Sequence, residues 1–478
     1  MVKLLNKESV IYTGLLAVTA TVIYFTSDFI QLVYFIFLFI LFSFSRKDYF
    51  WLAFFAAIIF ETGGFFVYDM FIELGPTPFS LVFFFSILTS IKGYLRYRKN
   101  IFIFKKQFNI WLGLLIYLLV LGLVFYGLEP AGKTGYRWYF LLGSFLICIP
   151  SIFILPKYFI NYNFLVKFSK LIFLTVFINI LGQIIHLALR NPVFLIFNPD
   201  FALGSLQDVD FSETLIRPVW GHWGCFLALF LALYFYIKKD NSFSSKFLIL
   251  VIFTNYITVL ISATRGWFLA FSFIIILFII IYSASKKSKL ILQSVFAFLL
   301  LFILLFNLSS AFRIQTILAT ERLLTLKLIV EGDPTAGGTN SRLTRRNDKV
   351  MDEFRKHPIF GNGFSTKAFE VNDQHVGNQN ILMEGGIVGY LVNAYIWFSI
   401  LYVIYKFHII SKKQRYYNRE LLLLLIAFGG LFIIHSSSSA IFGHMLLIPH
   451  AFKFLFISYI FGIFNCILFI NRTEITQN

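Results

Sequence analysis

His375, Arg265, Arg342, Arg345, Arg346 and Glu384 are the residues of this chain whose types and spacing could carry chemistry. All but Arg265 lie in one polar stretch, SRLTRRNDKVMDEFRKHPIFGNGFSTKAFEVNDQHVGNQNILMEGGIVGY, from Ser341 to Tyr390, with long apolar sequence on both sides. A polar run of that length must stand outside hydrocarbon. An imidazole titrates near neutral pH and can take a proton from a hydroxyl. The helix expected to begin near Asn378 would place its positive N-terminal end beside His375 and keep the ring neutral. Guanidinium forks match phosphate oxygens two at a time. Arg265, in SATRGW, falls between two apolar runs with almost no link, a placement that is costly unless the charge has a partner. The chemistry these residues fit is proton removal from a hydroxyl and neutralisation of a phosphate leaving group. The plainer readings are a histidine that only hydrogen-bonds, an arginine reaching to lipid headgroups, and a helix-face charge among the three clustered arginines.

Arg217, in LIRPVWGHWG, also stands at the end of an apolar run, followed by Trp220, His222 and Trp223. Aromatic faces beside a cation suit a sugar ring, and they also suit an ordinary interfacial belt. Asp208-Val209-Asp210 has the form of the DxD metal site of nucleotide-sugar glycosyltransferases, although so short a motif arises by chance. Glu61 lies inside an apolar run and reads as interfacial rather than as a relay. Cys148, Cys225 and Cys466 share no metal-ligand spacing and all fall in apolar runs, so packing is their expected role. Neither a metal nor a cofactor is expected.

These groups must be positioned by a bilayer-spanning scaffold. The chain has 478 residues, 59% of them hydrophobic and 13% charged, half the charge content of soluble domains. Its mean hydropathy is +0.80. The formal charge of +18 would suit nucleic acid, but the basic residues sit in short links between apolar runs, so they report topology instead. The expected fold is an all-α polytopic membrane protein with about 14 transmembrane helices, from the requirement of about 20 apolar residues per span. Eleven spans with short links and an outer loop near 190–218 occupy 1–308, a large partly helical outer loop occupies 309–384, and three spans occupy 385–478. With the N-terminus inside, the inner links collect Arg46, Lys47, Lys92, Arg96, Lys286, Lys287, Lys412 and Arg415. Both termini are then cytoplasmic and the loop carrying His375 is outside. Within that loop, Val350, Met351 and Phe354 share one face of a short helix that ends at His357-Pro358 and Gly361-Asn362-Gly363. Ser365, just past that turn, is an expected labelling site in an exposed loop.

HPIFGNGF, then His375, then NILMEGGIVGY resembles the signature region of the O-antigen ligase and O-antigen polymerase superfamily. Pro358, Gly361 and Gly363 fall on its P-hh-G-h-G turn. His375 stands nine residues before Glu384, which leads into the G-hh-G element of Gly386 and Gly389. SATRG is similar to the superfamily's Ser-rich element with an arginine at a span end. Val376 stands where many members have Asn after the histidine. The resemblance implies a GT-C-like, metal-independent membrane glycosyltransferase that uses undecaprenyl-pyrophosphate-linked oligosaccharide on the outer face of a bacterial inner membrane. It casts His375 as base for the acceptor hydroxyl, Arg265 and Arg342 as pyrophosphate clamps with Arg217 beside them, and Arg345, Arg346 and Glu384 as support. The expected partners are that lipid-linked oligosaccharide, the lipid bilayer and, as a further candidate, a chain-length regulator; nucleic acid is excluded. About 14 spans favours a polymerase, whose acceptor is a second lipid-linked unit, over a ligase, whose acceptor is lipid A core. A flippase, the alternative outside enzymes, would be expected to gather its charges in a central cavity instead of at one face.

Overall fold

The structure, a computed structural model, describes residues 6–66, 71–74, 77–126, 147–159, 161–189, 221–239, 241–262, 264–282, 302–303, 306–307, 310–330, 347–371, 377–413, 419–437 and 451–477. Apart from one ribbon and the connecting turns, these residues form helices. In chain order they are α1 (Lys7–Phe25), α2 (Asp28–Phe44), α3 (Asp48–Ile59), strands β1 (Phe71–Leu74) and β2 (Thr77–Ser80), α4 (Leu81–Tyr97), α5 (Lys105–Tyr126), α6 (Ile147–Tyr158) and α7 (Tyr162–Leu189). Then follow α8 (His222–Lys238), α9 (Ser245–Ile261), α10 (Arg265–Tyr282), α11 (Ser310–Val330), α12 (Asn347–Lys356), α13 (Thr366–Val371), α14 (Gly377–Lys413), α15 (Arg419–Ser437) and α16 (Ala451–Gln477). The ribbon pairs β1 and β2 antiparallel, with Phe71 opposite Ser80.

Six of these helices, α1, α5, α7, α14, α15 and α16, contain apolar stretches long enough to cross a membrane, and six more described helices are apolar but shorter. The chain therefore has the make-up of a polytopic membrane protein. Among the described residues one expected span differs, and most of the expected span near 290–308 lies outside them. A span over 49–68 is anticipated, yet α3 stops at Ile59, because Glu61 (φ 55) and Gly63 (φ 70) adopt left-handed backbone that ends the helix. Twelve residues rise only about 18 Å, short of the hydrocarbon thickness of about 30 Å.

The chain divides into two compact units. The first comprises 1–88, 161–264 and 275–323. Its buried helix is α8, apolar on every side and enclosed from Cys225 to Tyr236. Glycine permits close packing here: a Cβ at Gly182 of α7 would overlap the Gly63 carbonyl oxygen. Asn179, buried one turn earlier, accepts the Gly63 N–H at 2.6 Å and donates to Cys225 Sγ at 3.1 Å. Cys225 is thus a packing residue, as its sequence setting anticipates.

The second unit comprises 89–160, 265–274 and 324–478 and carries the polar segment. Its central helix is α16, buried along nearly all of its apolar length. Phe461 packs edge-on against Phe104 and Phe108, and Asn465 ties down the link before α5 by accepting from Ile103 N (2.9 Å) and donating to Ile101 O (3.0 Å).

Candidate active site

The expected amphipathic helix is α12. Asp348 lies in its first turn and Arg355 and Lys356 in its last, charges that complement the helix dipole. Its apolar face closes a small core: Val350 packs with Ala368 and Val371 of α13 and Met383 of α14, with Phe354 against them. Residues 347–371 are therefore folded against α14, as the pattern of that stretch leads one to expect.

The organising feature is a break in α14. Gly386 has φ 62 and ψ −164, a conformation essentially confined to glycine. An unbroken helix would pair Ile387 N with Met383 O and Val388 N with Glu384 O. The break frees all four groups, and the Pro358–Gly363 turn takes them. Asn362 N donates to Met383 O (2.9 Å) and Gly363 N to Glu384 O (2.7 Å), while Ile387 N donates to Pro358 O (2.9 Å) and Val388 N to Ile359 O (3.1 Å). Two helical bonds are exchanged for four between turn and helix, so each of these four freed groups is paired at the break.

Glycines make this clasp possible. Side chains at Gly361 (φ 80) or Gly386 would overlap the opposing backbone, at Glu384 O and Ile359 O respectively. On the other flank, Phe364 N donates to Leu118 O of α5 at 2.9 Å, and a Cβ at Gly122 would come within 2.7 Å of the Phe364 carbonyl. Tyr117 of α5 donates its hydroxyl to Phe360 O at 2.9 Å. The Asn362 amide, fully buried, donates to Glu353 O (3.3 Å) and Met383 O (3.1 Å), joining the end of α12 to α14. The turn, α5, α12 and both halves of α14 thus form one platform.

Of the residues singled out in sequence, Arg265 is half-buried at the first position of α10 and Glu384 is fully buried two residues before the break. His375 falls in 372–376, between the end of α13 and the start of α14; it, Arg217, Arg342, Arg345, Arg346, Asp208, Asp210 and Trp220 lie outside the described residues. Ser365, expected exposed, is 1% exposed, because its hydroxyl accepts the Ala368 N–H (3.2 Å) at the start of α13. His222 belongs to packing: it is buried, with Nε2 2.8 Å from Ser262 Oγ in the corner that precedes Arg265. Sequence reasoning missed Tyr117, whose one signal is a hydroxyl inside an apolar run, and the side-chain role of Asn362, whose signal is a polar residue between two glycines.

The turn and the helix break on which it closes coincide with the P-hh-G-h-G and G-hh-G elements. Residues 247–394 match the family model described as O-antigen ligase. No curated protein and no solved structure matches the chain. The O-antigen ligase-like segment runs from α9 to the first half of α14, under a third of the chain, and includes the clasp, Arg265, Arg342, Arg345, Arg346, His375 and Glu384 but not Arg217. The match supports the O-antigen ligase and polymerase superfamily and indicates a glycosyltransferase-like function of that type.

Proposed function

We propose that the protein is a surface-polysaccharide polymerase of the inner membrane, moving a glycan from undecaprenyl pyrophosphate to a hydroxyl of a second lipid-linked repeat unit. The observation that supports this reading is that the O-antigen ligase-like segment contains the clasp. Its two signature elements lock onto each other and bracket the link that holds His375.

In the reaction, the acceptor oxygen forms a bond to the anomeric carbon as that carbon's bond to the pyrophosphate oxygen breaks. The hydroxyl proton passes to His375, and the lipid pyrophosphate leaves with the bonding electron pair. Arg265 and Arg342, with Arg217, neutralise the charge that grows on the leaving group, a task fixed guanidinium groups perform without a metal. Arg345, Arg346 and Glu384 support them. The buried Glu384 does so through its carbonyl, which receives the Gly363 N–H.

Replacing Arg265 or Arg342 with Lys keeps charge but removes the two-pronged fork. Each lost charge-assisted bond is worth about 1.5–3 kcal/mol, so turnover should fall about ten- to hundredfold. The measurement is initial-rate transfer by purified protein in proteoliposomes supplied with lipid-linked repeat units. Wild-type rates in both Lys variants would return these arginines to headgroup anchoring. Product on lipid A core acceptor, with none on a second lipid-linked unit, would make the protein a ligase.

The proposed topology places α12 and the His375 link outside the cytoplasm. Arg355, whose side chain is 69% exposed on α12, is a better probe than Ser365. In an Arg355→Cys variant of a background lacking the three buried cysteines, a membrane-impermeant maleimide should label intact spheroplasts. Labelling only after lysis would invert the map.

A further inference from the structure

We propose that the pocket formed by the α4–α5 link, the end of α6 and the second half of α16 is a headgroup site for an anionic glycerophospholipid. Its position at the cytoplasmic surface rests on the topology proposed above; the site itself is independent of the transferase reading. The pocket encloses about 290 Å³, near the lower end of small-molecule sites, so it takes one headgroup and not a whole lipid. Lys99, Asn100, Ile101, Phe159, Asn465 and Phe469 line it, and all belong to the second unit.

Three observations point to that occupant. The first is charge without counter-charge. Residues 96–106 hold Arg96, Arg98, Lys99, Lys105 and Lys106 and no carboxylate. Lys157 of α6 joins them, near enough to Lys105 for the two to repel. Among the described residues Arg98, Lys99, Lys105, Lys106 and Lys157 make no ion pair, whereas Lys47 is matched by Glu8 at 3.0 Å. Basic pockets between helices at the inner surface attract anionic headgroups. The second is that the pocket is already formed. Asn100 donates to Lys157 O at 3.0 Å, Lys157 Nζ donates to Arg98 O at 3.0 Å, and the buried Asn465 amide holds Ile103 N and Ile101 O from α16. The backbone that carries Lys99 is thus ordered before a ligand arrives, which lowers the cost of binding. The third is an amphiphilic lining. Phe159 and Phe469 form an apolar wall, and Ile101 is 56% exposed beside Lys99. A free anion would leave that wall unused. A phospholipid sets its phosphate against the cations and its glycerol and first methylenes against the wall.

The test is thermal unfolding of the full chain in a neutral detergent, titrated with dioleoyl phosphatidylglycerol, dioleoyl phosphatidylcholine or glycerol phosphate. Phosphatidylglycerol should raise Tm saturably, because a ligand of the folded state stabilises it; the other two should not. Lys99→Gln, altered at an exposed side chain, should keep its lipid-free Tm and bind about fivefold more weakly, the worth of one cation at an anionic surface. Ile101→Trp fills the pocket with every charge kept and should abolish the saturable shift. Lys47→Gln should leave it unchanged. The proposal is overturned if phosphatidylcholine stabilises equally, or if glycerol phosphate alone reproduces the shift, which would make this a free-anion site. Full affinity in Ile101→Trp would also overturn it, reducing the cations to a diffuse charged surface.

Discussion

Replacing His375 with Ala should lower glycan transfer by about 10²- to 10⁴-fold, the range a positioned general base contributes, while membrane levels of the protein stay near wild type. The residue stands in the link between α13 and α14, so its loss removes a proton acceptor and leaves the clasp intact. The measurement is the product ladder formed from lipid-linked repeat units, with protein amount normalised by quantitative blotting. His357, exposed at the end of α12, serves as the control, and its Ala variant should retain activity. Long chains from the His375 variant would reduce that residue to positioning and leave catalysis to leaving-group stabilisation by the arginines. A chelator should not affect the wild-type rate; chelator-sensitive transfer would return Asp208 and Asp210 to consideration as a metal site.

The second large effect is expected at Gly386, from backbone geometry rather than from side-chain chemistry. Gly386→Ala introduces a Cβ that overlaps Ile359 O, at φ 62 and ψ −164. The unfavourable backbone alone costs about 1–3 kcal/mol. Each clasp bond left unmade in a buried setting adds about 1–3 kcal/mol, so the Pro358–Gly363 turn should detach from α14. Limited proteolysis of the detergent-solubilised variant should give new cuts within 357–364, together with a lower Tm and no measurable transfer. Gly389→Ala supplies the contrast, because its Cβ would meet only Leu114 at 3.6 Å and Tyr117 at 3.8 Å, which is ordinary contact. It should be tolerated. Equal damage from the two substitutions would refute the clasp as the reason for glycine at 386.

Sequence alone determined the polytopic helical make-up, because hydrocarbon imposes long apolar runs and these survive any detail of packing. It also determined the helix over Val350 and Phe354, the helix start near Asn378, and the two glycine elements, since local backbone chemistry writes turns and starts directly into residue types. What it left open are contacts between residues far apart in the chain. A Pro-hh-Gly-h-Gly turn and a Gly-hh-Gly element can each be read as a local bend. Only tertiary structure pairs the Pro358–Gly363 turn with the groups released at Gly386, because the donors and acceptors that match are some 25 residues apart. The same limit hid Tyr117 and the pocket beside Lys99, which depend on which helix faces which. It also explains the errors at α3 and Ser365. Hydropathy averages over a window and passes through Glu61 and Gly63, whereas the left-handed turn there is held by Asn179, more than a hundred residues away. A serine after a glycine turn reads as exposed until the Ala368 N–H and the packed platform around it place it inside.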